Sequence, residues 1–251
     1  MLNDKQFLRY QRQVSLPEVG ENGQVQLGQS HVLVIGCGGL GSAACLYLAA
    51  AGVGKLVIVD DDIVESSNLQ RQVIYREQDL GTPKTSATAK QLAELNPMVQ
   101  VRTINKRLEP SQLSLEVMLA DVVLDCSDNM PTRQLINQTC FEQNTPLVSA
   151  AAIGWQGQFA VFDHQESQQS AACYRCLYPF DELIQTQKCS ESGVVGPVVG
   201  TMGNYQALAA IQKLATGKFH VKANELHLFD GLKMQWQKLA ITKDSSCQVC
   251  S

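Results

Sequence analysis

Long apolar runs are missing from this chain. Its least polar stretch, SAACLYLAAAGVG from Ser42 to Gly54, is too short to span a bilayer and ends among glycines. The amino terminus, MLNDKQFLRYQRQ, is polar and charged and has no apolar centre of the kind an export signal needs. A soluble, cytoplasmic protein is expected. An excess of basic charge is also missing: 20 Lys and Arg stand against 24 Asp and Glu, a net charge of −4, so a general nucleic-acid-binding role is not expected. No repeat of solenoid period and no low-complexity segment is present. Histidine is scarce, and His31, His164, His220 and His227 are scattered over predicted strands and loops. No obvious catalytic acid–base pair emerges, which weighs against an oxidoreductase with a substrate domain.

Cysteine, by contrast, is abundant, with nine in 251 residues. A chain of this size without an export signal does not need a disulfide scaffold. Cytosolic cysteines instead cluster for metal or catalysis, or scatter as small buried apolar groups. Cys173 and Cys176 form one C-x-x-C pair, and Cys247 and Cys250 form another. Two such knuckles supply a closed, structural four-thiolate Zn²⁺ site if the fold brings them together. Their long separation leaves redox dithiols or unligated thiols as alternatives. Cys37, Cys45, Cys126 and Cys140 lie in apolar contexts and read as packing groups. Cys189 differs: it sits in the polar stretch QTQKCSESG beside Lys188, so it reads as an accessible, partly activated thiol or a surface thiol without duty.

Strand and helix patterns alternate through the first two-thirds. HVLVIG leads into a helical LGSAACLYLAAAG, then KLVIVD, a helix from Pro83 to Leu95, and VQVRTI. A short helical stretch, ADVVLDCSD, a helix in PTRQLINQTCFEQ, and PLVSAAAI follow. This order predicts a doubly wound, Rossmann-like α/β sheet, mostly parallel, with strands buried on both faces. From Gln156 the pattern changes. GQFAVFD reads as an antiparallel partner of the preceding strand, turned around Trp155 to Gly157. A cysteine-bearing loop and the polar FDELIQTQKCSESG come next, then a helix stopped by Gly217, then a hairpin in ELHLFDG and LKMQWQKLAI. No linker is evident, so one domain over 1–251 is expected. It comprises a helical arm over 1–28, a nucleotide-binding core over 29–155 and an antiparallel, zinc-bearing part over 156–251.

Gly36, Gly38 and Gly41 fit G-x-G-x-x-G between a predicted strand and helix, with Gly39 added. Backbone N–H groups at such a turn face an anion, and Asp60, ending the next strand, stands at the spacing that reaches a ribose hydroxyl. Asp61 and Asp62 read as solvated, or as caps of the next segment. Asn68 and Arg71 follow in SSNLQRQVIY, and Lys84 lies in the first turn of a helix, where a cation invites a ligand explanation. Two cations on the phosphate side suit a triphosphate better than a dinucleotide. Asp128, after a presumed parallel strand, is placed to hold Mg²⁺ on the phosphates. Taken singly, Arg71 and Lys84 also read as surface charges, and Asp128 as a helix N-cap before Pro131.

Taken together, RYQRQ, GCGGLGS, AGVGKLVIVD, SNLQRQ, PK, LDCSDN, CYRC, GVVGPVVG and CQVC, spread in order from Phe7 to Cys250, resemble the ThiF/MoeB family of sulfur-carrier-protein adenylyltransferases, relatives of ubiquitin-activating enzymes. The resemblance implies ATP-dependent formation of an acyl-adenylate on the terminal Gly-Gly carboxylate of a small β-grasp carrier, with release of pyrophosphate. It implies that Gly38 and Gly39 contact the nucleotide, that Asp60 holds the ribose, that Asn68, Arg71 and Lys84 meet the phosphates, and that Asp128 binds metal. Arg12 matches an arginine that the family delivers from the partner subunit of a homodimer; by itself it reads as part of a solvated helix face. Cys189 matches the cysteine that, in thiamin-branch members, links to the carrier thiocarboxylate through an acyl-disulfide. In molybdopterin-branch members the matching cysteine is not needed for adenylation.

GVVGPVVGTMG favours the thiamin branch, whose carrier is ThiS, while AAAIGWQGQ shares features with both branches. Activation of MoaD for molybdopterin is therefore the near alternative. A cysteine desulfurase or sulfurtransferase is the implied sulfur source. No rhodanese domain follows Ser251, an expectation that separates the chain from the longer fused relatives. Cys37 stands where the family commonly has leucine and is given no role. The chemistry is coherent: carboxylate and triphosphate repel, and Arg12, Arg71, Lys84 and Mg²⁺ neutralise that charge in an in-line attack at the α-phosphorus. A carboxylate needs no base. A nicotinamide oxidoreductase and a non-catalytic scaffold are the rivals, and the joint presence of Arg71, Lys84 and Asp128 argues against the scaffold.

Overall fold

The strands β1 (His31–Ile35), β2 (Lys55–Val59), β3 (Gln100–Ile104), β4 (Val122–Asp125), β5 (Leu147–Ile153), β6 (Gln156–Phe162), β7 (Glu225–Asp230) and β8 (Gln235–Ala240) form one sheet in the order β3-β2-β1-β4-β5-β6-β7-β8, parallel from β3 to β5 and antiparallel from β5 to β8. The inner strands β1, β2 and β4 are apolar and buried on both faces as expected, whereas β3, QVRTI at the edge, is half polar and largely exposed because it has a neighbour on one side only. The computed structural model describes residues 1–163, 171–181 and 193–251.

Alternation along the strands divides the core in two, as a sheet covered on both faces requires. Val32 and Val34 of β1, Leu56 and Ile58 of β2 and Val122 and Leu124 of β4 face one layer of helices. That layer includes α3 (Gly39–Ala51), α4 (Lys84–Leu95) and the long α8 (Gly196–Thr216). Leu33, Ile35, Val57, Val59 and Val123 face the other, built on α5 (Pro110–Leu119) and α6 (Met130–Glu142), with the short α7 (Tyr174–Leu177) beside them. The arm forms α1 (Asp4–Val14) and α2 (Gly20–Gln29).

Helices α3 and α8 lie backbone to backbone. A Cβ on Gly203 would sit 2.2 Å from Leu40 O. Gly217 ends α8 in the left-handed region at φ +81°, where glycine carries no Cβ penalty. The turn between β5 and β6 falls at Gly154 and Trp155, slightly earlier than the sequence suggests, with Ile153 paired to Gln156. Pro83 caps α4 rather than opening its first turn, so Lys84 is the first helical residue. Among the described residues no helix is long and apolar enough to cross a membrane.

Candidate functional site

The parallel strand order reverses direction at β1, with β2 on one side and β4 on the other. Ligands of open α/β sheets bind at the carboxyl ends of strands beside such a switch. The glycine loop leaves β1 there, Asp60 ends β2, and the Asp125–Asn129 loop leaves β4. Gly36 takes φ +98° and a Cβ on it would meet Cys126 O at 2.6 Å, so no side chain fits. Gly38 is the N-cap of α3 and offers no side-chain cap, so the first N–H groups of that helix are free to meet an anion. The space a side chain would take on Gly39 is filled by Val199 Cγ1 of α8, 2.4 Å away. Contact of Gly39 with a nucleotide is thereby limited to its backbone.

Asp60 locks the loop. Its Oδ2 accepts from the Cys37 N–H at 2.6 Å and its Oδ1 from the Asp62 N–H at 2.8 Å. Burial raises its pKa above 3.8, while these two N–H bonds and the charge of Lys84 pull it down. The Tyr75 hydroxyl donates to Cys37 O at 2.7 Å and holds the loop from the other side. The Cys37 side chain is buried, and burial pushes its thiol well above the ordinary range, so it is an inert packing group.

Lys84 is only 6% exposed, not a surface charge. Its Nζ donates to Asp62 Oδ2 at 2.8 Å, and its backbone N–H to Asp62 O at 2.9 Å. Asp62, which the sequence leaves as a solvated or capping group, is therefore the counter-ion of a site lysine. Asp61 instead pairs with exposed Arg107 at 2.8 Å. Asn68 is buried in a single 3₁₀ turn, Ser66–Asn68, and its Oδ1 accepts from the Glu65 N–H at 3.3 Å. Arg71 Nη1 donates to Ser67 O at 3.0 Å.

Asp128 is exposed, and among the described residues its Oδ1 receives only a long 3.5 Å contact from Asn129 Nδ2. It does not cap α6: Asn129 does, accepting from the Thr132 N–H at 3.0 Å. Among the described residues no closer hydrogen bond engages the Asp128 carboxylate, which leaves its oxygens open to a cation. Behind it lies a buried network that the sequence reading missed. Asp125 accepts from Arg133 Nη1 at 3.1 Å, from Ser149 Oγ at 3.0 Å and from Ser127 Oγ at 2.6 Å. Arg133 Nη2 also donates to Ser127 O and to Ala150 O. This fixes the backbone on which Asp128 stands.

The model of the ThiF family matches residues 10–249. The chain belongs to the ThiF family. It is 49% identical over 249 residues to the "Sulfur carrier protein ThiS adenylyltransferase" of Escherichia coli K12, covering 99% of this chain and 97% of that one. It is 39% identical to the "Molybdopterin-synthase adenylyltransferase" of the same organism, over 99% of this chain and 98% of the other. The "Adenylyltransferase and sulfurtransferase MOCS3" of Xenopus laevis is 41% identical, and this chain spans 55% of its length. In fold, the chain superposes on E. coli MccB bound to MccA-N7isoASN with a TM-score of 0.84 at 20% identity, covering 99% of this chain and 76% of that one.

Two features of this ThiF-family chain lie outside the glycine-loop site. Cys173, Cys176, Cys247 and Cys250 bring their four sulfurs within 4.8 Å of one another, with Cys173 to Cys247 at 3.7 Å and Cys176 to Cys250 at 3.4 Å. A tetrahedral zinc with bonds of about 2.3 Å spaces its sulfurs about 3.8 Å apart, so this set fits one. Asn137 Nδ2 and the Asp244 N–H point at Cys173 and Cys176 sulfurs, donors that suit thiolates. Arg12 is exposed on α1. Next to it, Gln13 Nε2 donates to Ala51 O at 3.0 Å, and Asn96 Nδ2 donates to the Tyr10 hydroxyl at 2.8 Å. The arm thus packs on the carboxyl ends of α3 and α4. The 13 residues of α3, at 1.5 Å each about 20 Å, separate that end from the glycine loop. Arg12 is not brought to the site of its own chain. Cys189 lies outside the described residues.

Proposed function

We propose that the protein adenylates the carboxyl-terminal glycine of a sulfur carrier protein, ThiS, with ATP, as a step towards the thiocarboxylate used in thiazole formation for thiamin. The observation that carries this reading is the full-length, 49% identity with a ThiS adenylyltransferase, found in a chain whose glycine loop, Asp60, Lys84 and Asp128 converge at one switch point. The lower identity with the molybdopterin-synthase enzyme makes MoaD the second candidate.

In this reading the N–H groups of α3 and the side chains of Arg71 and Lys84 bind the phosphates, Asn68 lines them, and Asp60 accepts from the ribose. Asp128 holds Mg²⁺, which supplies charge neutralisation on the phosphates when bound. The carrier carboxylate is already the nucleophile, so positioning and charge stabilisation are the whole of the protein's contribution. Arg12 enters from the partner subunit of a homodimer, which its distance from its own glycine loop supports. Zinc on the four cysteines ties the carboxyl-terminal tail to α7. In sulfur transfer Cys189 carries a persulfide whose outer sulfur comes from a cysteine desulfurase or sulfurtransferase; that sulfur attacks the carrier acyl-adenylate, forming the acyl-disulfide as the bond to AMP breaks and AMP leaves. All of this takes place in the cytoplasm.

The test is direct detection of the carrier–AMP adduct by intact mass after mixing protein, ATP, Mg²⁺ and ThiS. Adduct with wild type and none with Asp128→Ala is the expected result. Undiminished adduct in Asp128→Ala would remove the aspartate from the site.

A further inference from the structure

At the carboxyl ends of β4 and β5 the sheet parts, and a side chain of α8 reaches into the parting. Pairing of the two strands ends at Asp125 and Ser149; past it β5 runs on to Ile153, while the chain leaves β4 for the Asp128 loop. Buried carbonyls at such a place take their partners from side chains. Arg133 of α6 serves Ser127 O and Ala150 O from one layer. From the other layer Gln206, fully buried, donates from Nε2 to Asp125 O at 2.7 Å and to Val148 O at 3.1 Å. The Cys126 thiol donates to Gln206 Oε1 at 3.3 Å, which holds the amide with its nitrogen towards the strands.

The same helix sets the other parts of the site. Near its start, a Cβ on Gly196 would lie 2.6 Å from Gln70 O and 3.3 Å from Arg71 Cα. Val199 fills the space beside Gly39, and Gly203 lies against Leu40 O. At spacings of three and four residues these positions share one face of α8, and Gln206 is the next of them. That face meets in turn the Arg71 segment, the glycine loop and the end of β4. One rigid element therefore fixes how far the Asp128 loop stands from the groups assigned to the phosphates.

We propose that Gln206 is a positioning residue for adenylation: it holds the end of β4, and with it Asp128, at the distance from the glycine loop that a metal-bound triphosphate spans. The inference deepens the adenylation reading and rests on it. Being fully buried, Gln206 meets neither nucleotide nor metal, and it acts through the backbone from Asp125 to Asp128.

The test is calorimetric binding of ATP, without carrier, to wild type, Gln206→Met, Asp128→Asn and the double variant, with Mg²⁺ and with EDTA in its place. Methionine keeps the length of the side chain and removes both donors. Mg-ATP binding should weaken about tenfold in Gln206→Met, the scale on which a residue remote from the ligand shifts a site. Metal-free ATP should bind equally to wild type and Gln206→Met, and Gln206→Met should cost nothing further in the Asp128→Asn background. Cys126→Ala removes only the thiol behind the amide; it should weaken Mg-ATP binding in the same direction, and it replaces Gln206→Met in every comparison if that variant does not fold. Undiminished Mg-ATP binding in the folded variant would overturn this proposal alone. So would equal losses with and without Mg²⁺, or equal losses in the two Asp128 backgrounds, which a merely structural role predicts. Wild type that does not bind Mg-ATP would overturn the adenylation reading and this proposal with it.

Discussion

At Lys84 a single ion pair decides where a cation stands. The ammonium is nearly sequestered from solvent, while its partner Asp62 is 65% exposed at the side chain, so the pair is partly screened. Its worth is chiefly positional: Asp60 accepts the Asp62 N–H, Asp62 accepts from Lys84, and the three residues form one chain from the proposed ribose site to the phosphate site. Asp62→Ala should lower adenylation about tenfold, the scale of one charge-assisted hydrogen bond. Its melting temperature should shift little. ATP titrations of initial rate check this, and an unchanged KM and rate would show that Lys84 holds its place without Asp62. The partnership was not legible in the sequence, since the two residues are 22 positions apart and meet only across a loop. For the same reason the bonds that join Asp125, Arg133 and Ser149 across three elements were not legible either. Spacing along one strand or helix is visible in a sequence, and proximity between loops is not.

Among the elements, the contact between α3 and α8 sets the floor of the site. Gly39 and Gly203 allow it, one against Val199 and the other against Leu40 O. Gly203→Ala would drive a methyl group into a carbonyl oxygen 2.2 Å away, and overpacking of that kind costs about 1–3 kcal/mol. Urea unfolding should show this loss, together with weaker ATP binding as α3 shifts; unaltered stability would mean the helices part freely. Here the sequence was far more readable. Apolar runs announced the parallel strands β1, β2, β4 and β5, though not the half-polar edge strand β3, and Gly217 announced the end of α8. The reversal to antiparallel pairing after Gln156 followed from a short turn between two strand-like segments. What the pattern could not supply was detail set by local bonds: Asn129, not Asp128, caps α6, and Gly39 serves helix packing.

On the scale of the whole molecule, the arm and the glycine loop occupy opposite ends of α3, so a site that needs Arg12 must borrow it. Mixing inactive Arg12→Ala with inactive Asp128→Ala should restore adenylation, because one site of a mixed dimer then carries both wild-type residues. No recovery, with mixed dimers shown to form, would place Arg12 outside the reaction.

The central claim is that the glycine loop serves adenylation of a carrier, and ATP–pyrophosphate exchange tests it most directly. With Mg²⁺ and purified protein, exchange should appear when ThiS ending in Gly-Gly is added, and not with MoaD. Exchange with MoaD alone would keep the nucleotide site and contradict the thiamin assignment. Exchange with neither carrier, in folded protein with its four-cysteine site filled, would contradict the account.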